Sequence, residues 1–142
     1  MVYMDTSVLV ALIVNEPHSK AVSTWYGKVK GELVSAVWCV PEFASALGIK
    51  QRTGQIDKAT AEAAWERFER LVANDLRLLQ LDAGCFHKAA IMTLDSATSL
   101  RAGDALHLAC AEQAGVKAMA TLDDVLARNA QKRKIKPVEF AA

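Results

Sequence analysis

The sequence is short of several things, and each shortage excludes a class. Its 142 residues contain three cysteines, Cys39, Cys85 and Cys110, widely spaced and with no CxxC pair. A zinc ribbon is therefore excluded, and an odd thiol count fits small apolar side chains packed in a reducing compartment. No apolar run approaches the roughly 20 residues that span a bilayer. The chain does not start with a basic segment followed by a cleavable apolar stretch. The expectation is a soluble, cytoplasmic protein that makes no use of a membrane. Net charge is only +1, which gives no whole-molecule electrostatic case for nucleic acid and leaves only a local basic groove. Glycine and proline are sparse, with 7 and 3 copies, and sit where elements end. There is no repeat, low-complexity tract or long linker, so a single domain over 1–142 is expected.

What is present is a 52% hydrophobic content, ample for a core, arranged in short apolar runs between helical patterns. VYM, ELVSA, LRLLQL, KAMAT and KIKPVEF read as strands. The last should lie at an edge, because Pro137 suits a sheet border. SVLVALIVN, HSKAVSTWYGKV, residues 37–51, IDKATAEAAWERFERLVAND, DAGCFHKAAIMTLDSA, RAGDALHLACAEQAG and DDVLARNAQ read as helices. Pro41 is tolerated only in a first turn, Gly54 breaks its helix, and Gly115 closes another. Strands alternating with helices mean an α/β layer fold with a mainly parallel sheet.

The acids are the chemistry-bearing residues. Asp5 interrupts the opening MVYMDTSVLV just past the first strand. Taken alone, it is equally well an N-cap. Glu42 lies in the early turns of an apolar helix, VWCVPEFASAL, where interaction with the helix N-terminus is the plain explanation. Asp104 opens RAGDALHLA, and its face continues through His107, Leu108 and Ala111. His107 itself reads as a packed, hydrogen-bonded histidine. Of Asp123 and Asp124, one should cap the last helix, and spacing does not say which. In an open parallel sheet ligands bind beyond the carboxyl ends of the strands. Asp5, Glu42, Asp104 and Asp123 can all reach that rim. Carboxylates gathered there repel, and a hard divalent cation relieves them. Oxygen-only ligands suit magnesium or manganese, which can activate water for displacement at phosphorus. Thr6, Ser7 and Thr121 sit beside the acids as candidate hydrogen-bonding supports.

MDTSVL, PEFASAL, LRAGDALHLA and ATLDDVLA resemble, in order and spacing, the motifs of the PIN-domain family, over essentially the whole chain. The resemblance is nearest to the VapC-type toxin ribonucleases of toxin–antitoxin pairs. It implies a three-layer α/β/α fold with a central, mainly parallel sheet of four to five strands. It implies that Asp5, Glu42, Asp104 and Asp123 hold Mg2+ or Mn2+, that Thr6 and Thr121 support the first and fourth acids, and that RNA is cut by metal-activated water. It further implies a homodimer and a VapB-like antitoxin that reaches a basic side chain into the acidic pocket. Asp124 beside Asp123 departs from many relatives and leaves open which of the two is the ligand, with Asp123 favoured.

Basic candidates for RNA phosphates around the rim are Lys50, Arg52, Arg101, Lys132, Arg133 and Lys134. Trp25, Tyr26, Trp38 and Phe43 are candidate contacts with an antitoxin or a second copy, and a place in the core suits them equally well. Three other α/β readings fail on specific residues. A dehalogenase-type phosphatase needs an acid where Ser7 stands. A receiver domain needs an acidic pair that Tyr3-Met4-Asp5 does not supply. A dinucleotide binder needs a Gly-rich first turn. A PIN-like module without activity, or a PIN nuclease that processes RNA outside any toxin pair, remain as alternatives.

Overall fold

The structure is a computed structural model and describes residues 1–140. Five strands, β1 (Val2–Met4), β2 (Leu33–Ala36), β3 (Leu76–Leu79), β4 (Ala118–Ala120) and β5 (Lys136–Pro137), form one sheet in the order β3-β2-β1-β4-β5. Every pairing is parallel, with Tyr3 opposite Val34 on one side and Met119 on the other. Parallel strands need crossovers, and the helices supply them. They are α1 (Thr6–Ile13), α2 (Ser19–Lys28), α3 (Cys39–Arg52), α4 (Lys58–Asn74), α5 (Ala83–Leu94), α6 (Ala102–Ala114) and α7 (Asp124–Lys132).

Alternation along the strands builds two cores. Tyr3, Val34, Ala36 and Met119 face α5, α6 and α7, whereas Met4, Leu33 and Ala120 face the layer of α1, α3 and α4. The expected three-layer α/β/α arrangement is thus observed, with all five strands parallel. In the second core Phe43 stacks on Phe68 at 4.4 Å, and Trp65 packs against both, 5.3 Å from Phe68 and 6.3 Å from Phe43. That stack locks α3 to α4, and such ring pairs add about 0.5–1.5 kcal/mol each beyond the area they bury.

Two element boundaries differ from the sequence pattern. The helix expected over DAGCFHKAAIMTLDSA stops at Leu94, and Asp95 then caps a single 3-10 turn at Ser96–Thr98. The final strand keeps only Lys136–Pro137 of KIKPVEF, at the edge as expected. Beyond it Phe140 leaves the sheet and meets Trp25 edge-on at 5.6 Å. Phe43 is fully buried, so it belongs to the core and not to a docking surface, which decides between its two readings.

Candidate metal centre

β1 delivers Asp5 to the carboxyl edge of the sheet, where it is buried and caps α1 by accepting a hydrogen bond from the Val8 amide. The capping explanation is therefore correct for this residue. The same oxygen, Oδ1, accepts from the Ser7 hydroxyl at 2.6 Å, and Oδ2 accepts from the Thr121 hydroxyl at 2.5 Å. Ser7 Oγ in turn accepts from the Leu122 amide, and Thr121 Oγ1 accepts from the Asp123 amide, each at 3.0 Å. Two hydroxyls thus tie the end of β4 to the start of α1 and fix the first acid. Burial pushes the Asp5 carboxyl above its usual range, while His107, Ser7, Thr121 and the Val8 amide pull the other way.

Glu42 enters from the first turn of α3. Its Oε1 accepts from the Thr6 hydroxyl at 2.5 Å and lies 2.5 Å from His107 Nε2. Burial alone would raise this carboxyl; the His107 hydrogen bond and charge, with Thr6 and the Trp38 indole, outweigh it and hold the carboxyl below its usual range. The Trp38 N–H is buried without a well-aligned partner of its own. Gly103, at the start of α6, is why Glu42 fits there. A Cβ at Gly103 would stand 2.9 Å from Glu42 Oε2 and 3.3 Å from Trp38 Nε1.

Asp104 follows in the first turn of α6 and is partly buried. Its carboxyl is pushed up to about 6, first by burial, then by the negative charges of Asp123 and Asp5, against the pull of His107, with Glu42 adding to the rise. The three other acids therefore act on Asp104 at once, as the convergence expected from the sequence requires. Asp123 caps α7 through Oδ1 to the Leu126 amide at 2.9 Å, which leaves Oδ2 free of that bond. Asp124 is exposed and is not among the charges that act on Asp104. The first turns of α1, α3, α6 and α7 carry or adjoin these acids, and the partial positive charge of a helix N-terminus favours carboxylates there.

Among the described residues, no three acidic, histidine or cysteine side chains are gathered around one point as finished metal ligands. The Asp5 oxygens are engaged by hydroxyls and an amide, and Glu42 Oε1 by Thr6 and His107. The donor set nevertheless suits a hard divalent cation. It consists of carboxylate and hydroxyl oxygens; burial is the first cause of the Asp104 rise, and the negative charges of Asp123, Asp5 and Glu42 add a repulsion that such an ion relieves.

The basic candidates divide sharply. Arg101 is exposed at the N-cap of α6, three residues before Asp104. The others stand further from the acids. At 1.5 Å per residue, α3 carries Lys50 and Arg52 about 12 and 15 Å from Glu42, and Lys50 is ion-paired with Glu16 at 2.6 Å. Lys132, Arg133 and Lys134 lie at the far end of α7, where the chain re-enters the sheet with the Lys136 amide bonded to the Lys117 carbonyl. Arg133 is also held by Glu112 at 3.0 Å. Reasoning from the sequence passed over Tyr3, Trp38 and Gly103 as parts of the site. It also missed the apolar outer stripe of α5, where Phe86, Ile91 and Leu94 are 49%, 55% and 81% exposed. The buried positions of α5 repeat as Cys85, Ala89 and Met92, and apolar residues off that repeat are the available signal. Nothing short of the fold shows the approach at Gly103.

Comparison with known proteins agrees with this architecture. VapC20 of Mycobacterium tuberculosis, a toxin that cleaves the sarcin–ricin loop, superposes with a TM-score of 0.75 at 14% identity, over 91% of this chain and 95% of that one. FitAcB of Neisseria gonorrhoeae gives 0.71 at 18% identity, over 98% and 97%. VapBC2 of Rickettsia felis, bound to a promoter DNA fragment, gives 0.66 at 11% identity, over 99% and 100%. At these identities the likeness is one of fold. No curated protein matches the sequence significantly. The PIN domain family matches residues 2–132, nearly the whole chain, and the protein belongs to that family.

Proposed function

We propose that this protein is a divalent-metal-dependent endoribonuclease and the toxin of a VapBC-like toxin–antitoxin pair. What supports the proposal is that the charges of Asp5, Glu42 and Asp123, from separate elements, all act on the Asp104 carboxyl at the carboxyl edge of the sheet. Asp5, Glu42, Asp104 and Asp123 are the residues to hold Mg2+ or Mn2+, with Asp123 preferred to the exposed Asp124. What a bound ion supplies is activation of water and neutralisation of charge in an in-line displacement at an RNA phosphodiester.

The chain's own residues do the rest. Ser7 and Thr121 hold the Asp5 carboxylate, and Thr6 holds that of Glu42. Arg101 is placed to take a phosphate next to the acids, by charge and hydrogen bonding. A VapB-like antitoxin with a basic side chain matches the surplus negative charge of the pocket. Exposed apolar side chains on α5, Phe86, Ile91 and Leu94, are the surface that a homodimer would cover. Among the described residues no helix is long and apolar enough to cross a membrane.

The test is RNA hydrolysis by the wild type with Mg2+, Mn2+ or EDTA, alongside Asp104→Asn. Cleavage that needs the metal and falls by about 100-fold or more in the variant supports the proposal. Near-normal turnover in Asp104→Asn, or cleavage in EDTA, contradicts it.

A further inference from the structure

A chain of buried polar groups runs from the middle of the sheet to Glu42. The Ala36 amide of β2 donates to the Tyr3 hydroxyl at 3.0 Å. That hydroxyl lies 2.6 Å from His107 Nδ1, and His107 Nε2 lies 2.5 Å from Glu42 Oε1. Tyr3 is wholly buried and His107 is 1% exposed, so neither is placed to touch an RNA. The rings meet edge-on at 5.7 Å, which fixes the plane of the imidazole. Thr6 completes the set, with its hydroxyl donating to Glu42 Oε1 at 2.5 Å and lying 3.2 Å from His107 Nε2.

The directions of these bonds are constrained. A carboxylate only accepts, so Nε2 must carry a proton toward Glu42. In a neutral ring Nδ1 is then the acceptor, and the Tyr3 hydroxyl, already accepting from Ala36, donates to it. In the neutral ring Glu42 and Tyr3 thereby favour the same Nε2–H tautomer, and in the protonated ring Nε2–H still points to Glu42. The consequence falls on Glu42. Its Oε1 is taken by Thr6 and His107, and Oε2 is left as the oxygen beside Gly103, at the start of the helix that carries Asp104.

We propose that His107, held by Tyr3, is a positioning residue that fixes the Glu42 carboxylate so that Oε2 is presented to the cation. The proposal rests on the divalent-ion reading of the site and adds a residue pair to it. Packing alone does not account for the arrangement. An apolar side chain would fill the same space at position 107, whereas a buried imidazole bonded at both nitrogens serves an orienting purpose. Such supporting groups typically carry a 10–100-fold effect on metal affinity.

The experiment is Mn2+ titration calorimetry on the full chain, comparing wild type with His107→Leu, His107→Gln, Tyr3→Phe and Asp104→Asn, with circular dichroism to verify folding. Glutamine can place its amide N–H where Nε2–H sits, and leucine cannot. The expected result is a fall in Mn2+ affinity of about 10–100-fold in His107→Leu, substantial recovery in His107→Gln, and an intermediate loss in Tyr3→Phe. If His107→Leu does not fold, Tyr3→Phe carries the test, together with the 15N shifts of His107. Those shifts should show a protonated Nε2 and a bare Nδ1 in the wild type, and a mixture of tautomers in Tyr3→Phe. Affinity unchanged in folded His107→Leu, or unchanged in Tyr3→Phe with the same tautomer, overturns the positioning role while leaving the ion site intact. A wild type that binds no Mn2+ overturns the ion reading, and this inference with it.

Discussion

Gly103→Ala separates stability from function in this protein. The added methyl would stand 2.9 Å from Glu42 Oε2, closer than a carbon tolerates, and 3.3 Å from the Trp38 indole nitrogen, a tight contact. The nearer atom is the end of a side chain and not backbone, so the fold yields by moving the Glu42 carboxylate. A shift of about half an ångström suffices to leave the productive geometry. Misplacement by about 1 Å can cost 100-fold in rate. Stability moves little. Alanine in a helix gains about 1 kcal/mol over glycine, and weakened bonds from Thr6 and His107 to Glu42 offset a similar amount. The expected outcome is a melting temperature within about 4 °C of wild type, with Mn2+ affinity and RNA cleavage reduced at least about tenfold. Gly27→Ala is the control, because a Cβ there meets nothing within 4 Å. It should leave metal binding and cleavage alone. Differential scanning fluorimetry with and without Mn2+, followed by calorimetry, gives both readouts. Gly103→Ala with wild-type Mn2+ affinity would refute the account of how Glu42 is seated.

Other expectations follow from the same geometry. Asp104 has its carboxyl raised from 3.8 to about 6, so the metal-free fold holds that proton more tightly than the unfolded chain does. Its contribution is therefore favourable below about pH 4 and is lost as pH rises through 6, by roughly 1–2 kcal/mol once partial solvent screening is allowed for. Mn2+ competes with the same proton, so its affinity should fall up to about tenfold per pH unit below 6. Equal affinity at pH 5 and 7.5 would contradict this. Thr121→Val removes the donor to Asp5 Oδ2 and the acceptor for the Asp123 amide. Leaving those buried groups unpaired should cost about 1–3 kcal/mol, measured by urea denaturation, and should weaken Mn2+ binding as well. Arg101→Ala should weaken RNA binding and reduce its salt slope by about one. The triple change Lys132→Ala, Arg133→Ala, Lys134→Ala should leave the slope near wild type, and the reverse pattern would move the RNA path to the other end of α7.

Much of the fold was readable because each element carries its own signal. Alternation of short apolar strands with helices requires a parallel sheet, and Gly54 and Gly115 end their helices with φ of +75° and +73° as glycine permits. The acids were readable because each caps a helix or stands in its first turn, where an acid is favoured and is also a candidate ligand. Asp5 and Asp123 are in fact caps. What stayed hidden depends on contacts between distant segments. Tyr3 and His107 are 104 positions apart, and nothing in MVYMD announces a phenol aimed at a histidine. Gly103 looked like an ordinary helical glycine, because the group it accommodates comes from α3. The distance of most basic candidates from the acids was also hidden, for a geometric reason. Lys50 and Lys132 share helices with Glu42 and Asp123, yet the rise of those helices takes them about 12–14 Å away. Phe43 reads equally as an interface or a core aromatic from composition, and only its stack on Phe68 shows that it is core.

The most direct test of the central claim is an anomalous difference map from crystals soaked in Mn2+. The account predicts a strong peak bounded by the carboxylates of Asp5, Glu42, Asp104 and Asp123, with Glu42 reaching it through Oε2, and no such peak in Asp104→Asn. Mn2+ bound elsewhere, or no peak among these four residues at saturating metal, would contradict it.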